Sequence, residues 1–441
     1  MPTPTPATLR FVVPALVAGA ALLVQGGLAH ADPPAAATAH AATPAPPVDN
    51  PERMEPAGFP ILGGDSDVGV MFGFAGTLTR YSRNVRPYLW NMDLVLAGWA
   101  KGDGNGGTDL AQYSAFWQID MPHVGGSEWR INPSFSARHI INQSYFGLGN
   151  GSPADPPAGN TAVPGRFFQF EMVEVRARSL ARVTLSGPWS GVLGLGYRFV
   201  EPNAYAGSRL ALDAAGSTQS PPSVSGLGAL HYVEATAGVI YDTRDSEALP
   251  SRGMFNQFAV RLLQAMPGGD TSVRYAGLAA SIVGYVPVAG PVVFAGRVMA
   301  DVEIGNVPFY DLFMGGPFTQ QEMPGGSSGI RGVPTGRYLG PLKVVTNLEF
   351  RSVLARFRVF HQPMSFGVNA FFDAGRLWSS LSLSDPRDGA GAGIHWGAGG
   401  GVFLKWGGAA VFRIEAAYSP DARAENPSLP IGIYVEDGVM F

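Results

Sequence analysis

Gly325-Gly326-Ser327-Ser328-Gly329 spells the G-x-S-x-G pattern that presents a nucleophilic serine when it sits on a strand-to-helix turn. That chemistry also needs an acid and a histidine in a set order. Here the serine lies in a glycine-rich loop among β-type segments, so acyl transfer is set aside and no catalytic residue is expected. The 7 histidines are scattered without metal-ligand spacing, so no metal site is expected either. The glycines between Gly389 and Gly401 have no βαβ surround and no following Lys-Ser/Thr; they read as turn and strand glycines, and no cofactor is expected. Asp242 and Asp245 flank a turn and are read as shaping it, with a surface cation site as the alternative. What remains is Gly329-Ile330-Arg331-Gly332, a single guanidinium carried on a glycine-dense loop. Its planar fork fits a carboxylate bidentately. Taken alone, Arg331 reads first as a solvated loop residue and second as half of such a pair.

The elements that must position this loop announce themselves by a period of two. From Phe294 to Ile304 the even positions are Phe294, Gly296, Val298, Ala300, Val302 and Ile304, against Arg297, Met299, Asp301 and Glu303 on the odd ones. Met364 to Ala374 repeats the pattern, with Ser365, Asn369 and Asp373 opposite Phe366, Val368 and Phe372; Phe412 to Tyr418 sets Arg413 and Glu415 opposite Phe412, Ile414 and Tyr418. One face suits lipid and the other a wet lumen. A soluble sandwich also alternates, but these segments often reach ~10 residues or more and carry Trp, Tyr or Phe near their ends, as tilted spanning strands do. The fold class expected is therefore all-β, a transmembrane antiparallel β-barrel with a long loop folded into the lumen. Alternation marks about fifteen strands from near residue 67 to the end; because single-chain barrels close with an even number, about sixteen are expected.

Composition agrees. The chain has 59 glycines, 11% aromatic and 15% charged residues, and a mean hydropathy of +0.09. Strands that alternate average to such neutrality, and beyond the N-terminal region there is no apolar run of the roughly 18 residues that a spanning helix requires. The absence of cysteine suits a chain that crosses an oxidising compartment without disulfides. A formal net charge of -4 supplies no basic field, so nucleic acid is excluded as a partner. Residues 1–31 combine Arg10, an apolar stretch from Phe11 to Val24 and Ala29-His30-Ala31, and are expected to be a signal peptide. Residues 32–56, rich in Ala, Pro and Thr, are expected to be a disordered leader. The barrel is expected to occupy 57–441.

At the loop motif the sequence resembles the bacterial surface antigen domain of the BamA/TamA-type outer-membrane assembly superfamily. Further pieces occur in the family's order: Phe146-Gly147-Leu148-Gly149-Asn150, Asp242-Thr243-Arg244-Asp245 with Pro250-Ser251-Arg252-Gly253, Asn347-Leu348-Glu349-Phe350-Arg351, Phe371-Phe372-Asp373-Ala374-Gly375 with Trp378, and a terminal Phe441. The resemblance implies that Arg331 pairs with acidic groups of the barrel wall, and alternation independently puts Glu349 and Asp373 on the lumen face. Such a pair is expected to be partly wet and worth about 1 kcal/mol, positional more than stabilising. Phe371, Asp373 and Gly375 are the expected strand motif. Val439 and Phe441, on one face, are the expected C-terminal barrel signal. The resemblance further implies an outer-membrane location and a role in protein assembly, insertion or translocation, without enzymatic activity. The expected partners are outer-membrane lipid and either unfolded outer-membrane proteins or a periplasmic partner acting in trans, and the expected state is a monomer. Family members with assembly roles carry periplasmic domains before the barrel, and the leader of about 25 residues is too short to fold one. A passive channel or a structural surface barrel is the alternative.

Overall fold

A computed structural model of the chain describes residues 52–65, 69–83, 85–102, 108–160, 162, 165–217, 224–359, 361–408, 410–424, 429–437 and 441. The expected signal peptide, residues 32–51 of the leader, and Val439 lie outside the described residues.

Its strands, in chain order, are β1 (Arg53–Asp65), β2 (Gly69–Tyr81), β3 (Trp90–Gly102), β4 (Thr108–Asp120), β5 (Trp129–Ser144), β6 (Gln169–Ser186), β7 (Trp189–Ala204), β8 (Leu230–Asp242), β9 (Gly253–Ala265), β10 (Arg274–Ala289), β11 (Val292–Asn306), β12 (Met314–Gly315), β13 (Gln321–Glu322), β14 (Leu342–Val359), β15 (Gln362–Trp378), β16 (His395–Trp406), β17 (Ala410–Tyr418) and β18 (Ile431–Asp437). All but β12 and β13 form one 16-stranded antiparallel meander in which each strand pairs with its neighbour in the chain. Thirteen residues, the length of β1, rise ~3.3 Å each and, tilted by about 40°, project to roughly 33 Å, enough for the ~25 Å apolar band of an outer membrane.

The alternation decides which way each strand faces. On β11, Arg297, Met299, Asp301 and Glu303 are buried inward while Ile304 is exposed; on β17, Arg413, Glu415 and Ala417 are inward while Ile414 and Tyr418 are outward. Leu193, Leu195, Leu262, Leu278, Phe350 and Ile433 add to an exposed apolar belt far larger than a soluble monomer carries, as a lipid-facing wall requires. Trp189 and Tyr241 sit edge to face at 5.0 Å near one rim, and Trp396 lies 5.9 Å from Tyr418 near the other, which places aromatic rings at both interfaces.

The strand that sequence reading missed is β1, whose first four residues fall in the expected leader and whose remainder was placed in the barrel region before the first expected strand. It contains Pro56 and Pro60, which cannot donate to a ladder, and therefore lacks the appearance of a central strand. It forms because it ends the sheet, with only β2 as a ladder partner. Glu55 is buried while Met54 and Leu62 are exposed, so Phe59 points inward. Its ring meets Phe412 edge-on at 4.8 Å, and Phe412 shares the outward parity of Ile414. The inner face of β1 thus laps the outer face of β17. A carboxylate oxygen of Glu55 accepts the Gly408 N–H at 3.1 Å, bringing β1 against the turn between β16 and β17.

Long connections, 145–168, 205–229, 307–341, 379–394 and 419–430, gather at one end of the cylinder, and the tight turns at 187–188 and 290–291 at the other. By the usual asymmetry of such barrels the long ones face outward from the cell.

Candidate functional site

The connection between β11 and β14 turns back into the bore. Phe309, Tyr310, Met323, Ile330, Val333 and Leu339 along it are all buried. Ile330 and Val333 pack with Met323 and Tyr338 of the same connection and with the wall residues Met299, Val345 and Leu377. Burying these apolar groups draws the segment inward; the polar ties fix where it stops.

Arg331 is 0% exposed. Its Nε and Nη2 donate to the two oxygens of Asp373 at 2.8 and 3.0 Å, and its backbone N–H donates to the same carboxylate at 3.1 Å. Nη1 donates to Glu349 at 3.1 Å and to Glu415 at 3.0 Å. The Phe371 ring lies against the guanidinium, with Cζ 3.3 Å from the ring centroid. One side chain therefore joins β14, β15 and β17. The structure brings Arg331, Glu349, Asp373 and Phe371 together and adds Glu415, which sequence reading had placed on the lumen face but not at the arginine.

The glycines supply room. Gly332 has φ +95°, its N–H donates to the Tyr434 hydroxyl at 2.7 Å, and a Cβ there would stand 3.0 Å from that of Ser419. A Cβ on Gly329 would collide with the Pro324 carbonyl, and one on Gly375 would come 3.1 Å from Ile330 Cδ1. The inward face of β16 is bare where the loop rests on it: a Cβ on Gly397 would run into the Arg331 carbonyl oxygen.

The expectation of a partly wet pair is corrected. Asp373 and Glu415 are as dry as the arginine, so removing one partner strands buried charge at a cost of about 3–5 kcal/mol.

Further ties hold the same connection, and the sequence did not reveal them. Asp311 accepts from Arg198 Nη1 at 2.5 Å and from the Tyr275 hydroxyl at 2.9 Å, and Arg198 also donates to Glu174 at 2.8 Å. Arg261 grips Asp301 at 2.7 and 2.9 Å, and Asp301 in turn accepts the Gly316 N–H at 2.7 Å. Lys343 donates to Glu303 at 2.9 Å, and Asn347 donates to the Gly329 carbonyl at 2.7 Å. These ties join the connection to the wall or nearby wall strands to one another, and local periodicity carries no signal of who meets whom.

The Phe146-Gly147-Leu148-Gly149-Asn150 stretch, read only as a family piece, roofs the connection. Gly149 N donates to the Leu339 carbonyl at 2.8 Å, Asn150 donates to the Gly393 carbonyl at 2.8 Å, and Arg337 donates to Ser152 Oγ at 2.7 Å. At the opposite rim Asp242 and Arg244 pair at 3.0 and 2.9 Å, and Asp245 accepts the Ser251 N–H at 2.8 Å, closing the turn that joins β8 to β9.

Phe441 does not sit where the expected terminal signal would put it. Among the described residues β18 reaches Asp437, and the Phe441 ring packs inside the barrel, against the cluster of Val283, Tyr285 and Ala295 on β10 and β11. Arg297 Cζ stands 5.1 Å from its centroid.

The Omp85 superfamily domain matches residues 121–427. Among solved structures, BamA from Haemophilus ducreyi lacking POTRA domains 1-3 shares 14% identity with a TM-score of 0.49, over 88% of this chain and 70% of that one. CdiB from Escherichia coli shares 13% identity with a TM-score of 0.49, over 88% of this chain and 62% of that one. No curated protein matches the sequence.

Proposed function

Because the chain belongs to the Omp85 superfamily and is an outer-membrane β-barrel, we propose that it assists the assembly, insertion or translocation of other proteins at the outer membrane. The observation that carries this reading is the connection between β11 and β14, buried in the bore and tied by Arg331 to carboxylates of three wall strands. A barrel that served only as a pore would gain nothing from three dry acids spent on holding an obstruction in its own lumen. The ends of the sheet also support it. Among the described residues β1 meets β17 and the turn before it through Phe59–Phe412 and Glu55–Gly408 rather than through a strand ladder, so that edge is the least costly place in the wall for an incoming strand to engage.

The test is reconstitution. Purified barrel in vesicles of outer-membrane lipid is mixed with an unfolded outer-membrane protein, and folding is followed by heat-modifiability on a gel. Faster folding than in empty vesicles, lost in Arg331→Ala, is the expected result. Equal rates with and without the barrel, together with steady single-channel conductance, would refute the assembly reading and leave a passive channel.

A further inference from the structure

Between β7 and β11 the outward face of the wall is corrugated near the end that faces away from the cell. Residues opposed in an antiparallel pair point to the same side of the sheet, so the registers align one row across five strands: Leu195, Ala235, Leu262, Ala276 and Ile304. The three large side chains are exposed and stand as ridges, and the two alanines between them are floors. A hollow of about 770 Å³ on the lipid side takes in Ala235, Leu262, Ala276 and Ile304 of that row. One row deeper toward the middle of the membrane, Ala237 prolongs the first floor and Leu278 ends the second.

One row toward the rim, roughly 7 Å away, the lining turns polar. Gln264, Arg274 and Asn306 stand side by side there. Gln264 Nε2 is already committed to the Ala265 and Thr271 carbonyls at 3.0 and 3.3 Å, and Asn306 Nδ2 to the Ser272 hydroxyl at 3.1 Å. Arg274 is exposed and, among the described residues, has neither an ion pair nor a side-chain hydrogen bond. A guanidinium left free at the edge of an apolar hollow selects an anion, and its planar fork suits phosphate. Two floors side by side beneath it suit a molecule with more than one hydrocarbon chain.

We propose that Arg274 and the hollow below it form a binding site for a phosphorylated lipid with several acyl chains, drawn from the outer leaflet of the membrane. The phosphate accepts from Arg274, and two chains lie over Ala235 and Ala276 with Leu262 between them. Bilayer tails are as apolar as leucine, so the chains gain only packing and the anion supplies the selectivity. A soluble anion lacks the chains, and a lipid without phosphate leaves Arg274 unpaired. The site is on the outer wall, separate from the Arg331 clamp, and does not depend on whether the barrel assembles other proteins.

The probe is a multiply acylated, phosphorylated glucosamine disaccharide, with its dephosphorylated form and inorganic phosphate as comparators, added to the purified full chain in detergent. Native mass spectrometry counts the lipid retained. Wild type is expected to hold the phosphorylated lipid about ten-fold more tightly than the dephosphorylated one, through a charge-assisted contact. Arg274→Gln should abolish that preference. Ala276→Leu, which fills one floor, should weaken retention about five-fold through lost packing. Ala280→Leu, on the same outward face of β10 but outside the hollow, should leave it unchanged. Each variant is scored where heat-modifiability matches wild type, and the Arg274 and Ala276 substitutions are independent, so either one decides if the other does not fold. Equal retention of the two lipids by wild type, a preference that survives in Arg274→Gln, full retention in Ala276→Leu, or displacement of the lipid by an equal concentration of inorganic phosphate would overturn the proposal.

Discussion

Replacing Arg331 by Ala should release one half of the lumenal connection and not the other. The substitution deletes the side-chain bonds to Asp373, Glu349 and Glu415 and leaves three buried carboxylates without their cation. Breaking a buried pair in this way costs about 3–5 kcal/mol, and at about 1.4 kcal/mol per decade that is roughly 10²- to 4 × 10³-fold in the local opening equilibrium. Hydrogen exchange on the reconstituted barrel reads it amide by amide. The amides of Gly326, Ile330, Gly332 and Val333, which bond within the turn or to Tyr434, should lose protection by that factor. The amides of Phe309 and Gly316, bonded to the Ser225 carbonyl and to Asp301, should keep theirs, since Asp311 and Arg261 still hold that half. Arg331→Lys should fall between, because an ammonium keeps the charge and loses the fork. Uniform loss of protection from 309 to 333 would mean that the connection detaches as one body. No loss anywhere would mean that the clamp holds nothing. Either result refutes the reasoning.

Asp311→Asn should give the mirror image, exposing Phe309 while sparing the turn at Arg331; since the two ties share no partner, the double variant should equal the sum of the single ones to within about 0.5 kcal/mol in exchange-derived opening free energies. Gly397→Ala forces a methyl group into the Arg331 carbonyl and should cost about 1–3 kcal/mol, seen as protease cutting in the 325–335 turn of a barrel that still shifts on heating. Asp421, on the 419–430 connection, accepts from the Tyr338 hydroxyl at 2.9 Å and pairs with His395 at 2.9 Å. Burial works against its charge, but His395 and Tyr338 outweigh burial and hold its pKa below the ordinary carboxylate value. A carboxylate lowered on folding stabilises above its unfolded pKa and loses that contribution as pH falls through the folded one. Thermal shifts of the wild type should therefore drop in acid more steeply than those of Asp421→Asn, and parallel curves would show that the pair carries no linkage.

Much of this architecture could be read from the sequence because a spanning strand between lipid and water has almost no freedom in where its polar residues go. The odd-numbered set of Arg297, Asp301 and Glu303 marks the lumen face in the sequence, and Glu349 and Asp373 follow by the same parity. β1 was not legible, since a sheet-ending strand tolerates Pro56 and Pro60 and so forfeits the pattern that marks the rest. Glu415 had the right parity but no signal for its partner. Contacts such as Asp311 with Arg198 depend on the curvature of the whole wall, which no local window contains. The dryness of the clamp was likewise out of reach, because it comes from Ile330, Val333 and Phe371 closing over the charges once the loop has seated.

The three acids that receive Arg331 lie 18, 42 and 84 residues along the chain from it. Closing the longest of these separations from an open chain costs about 1.4 kcal/mol more entropy than closing the shortest. Yet Glu349, Asp373 and Glu415 stand on β14, β15 and β17, strands joined through β16 by a ladder that only ever pairs sequence neighbours. Once that stretch of wall has zipped up, the acids are already assembled. The arginine then meets all three at the cost of a single closure, and the seating of the loop becomes a two-ended choice with few stable half-way stations.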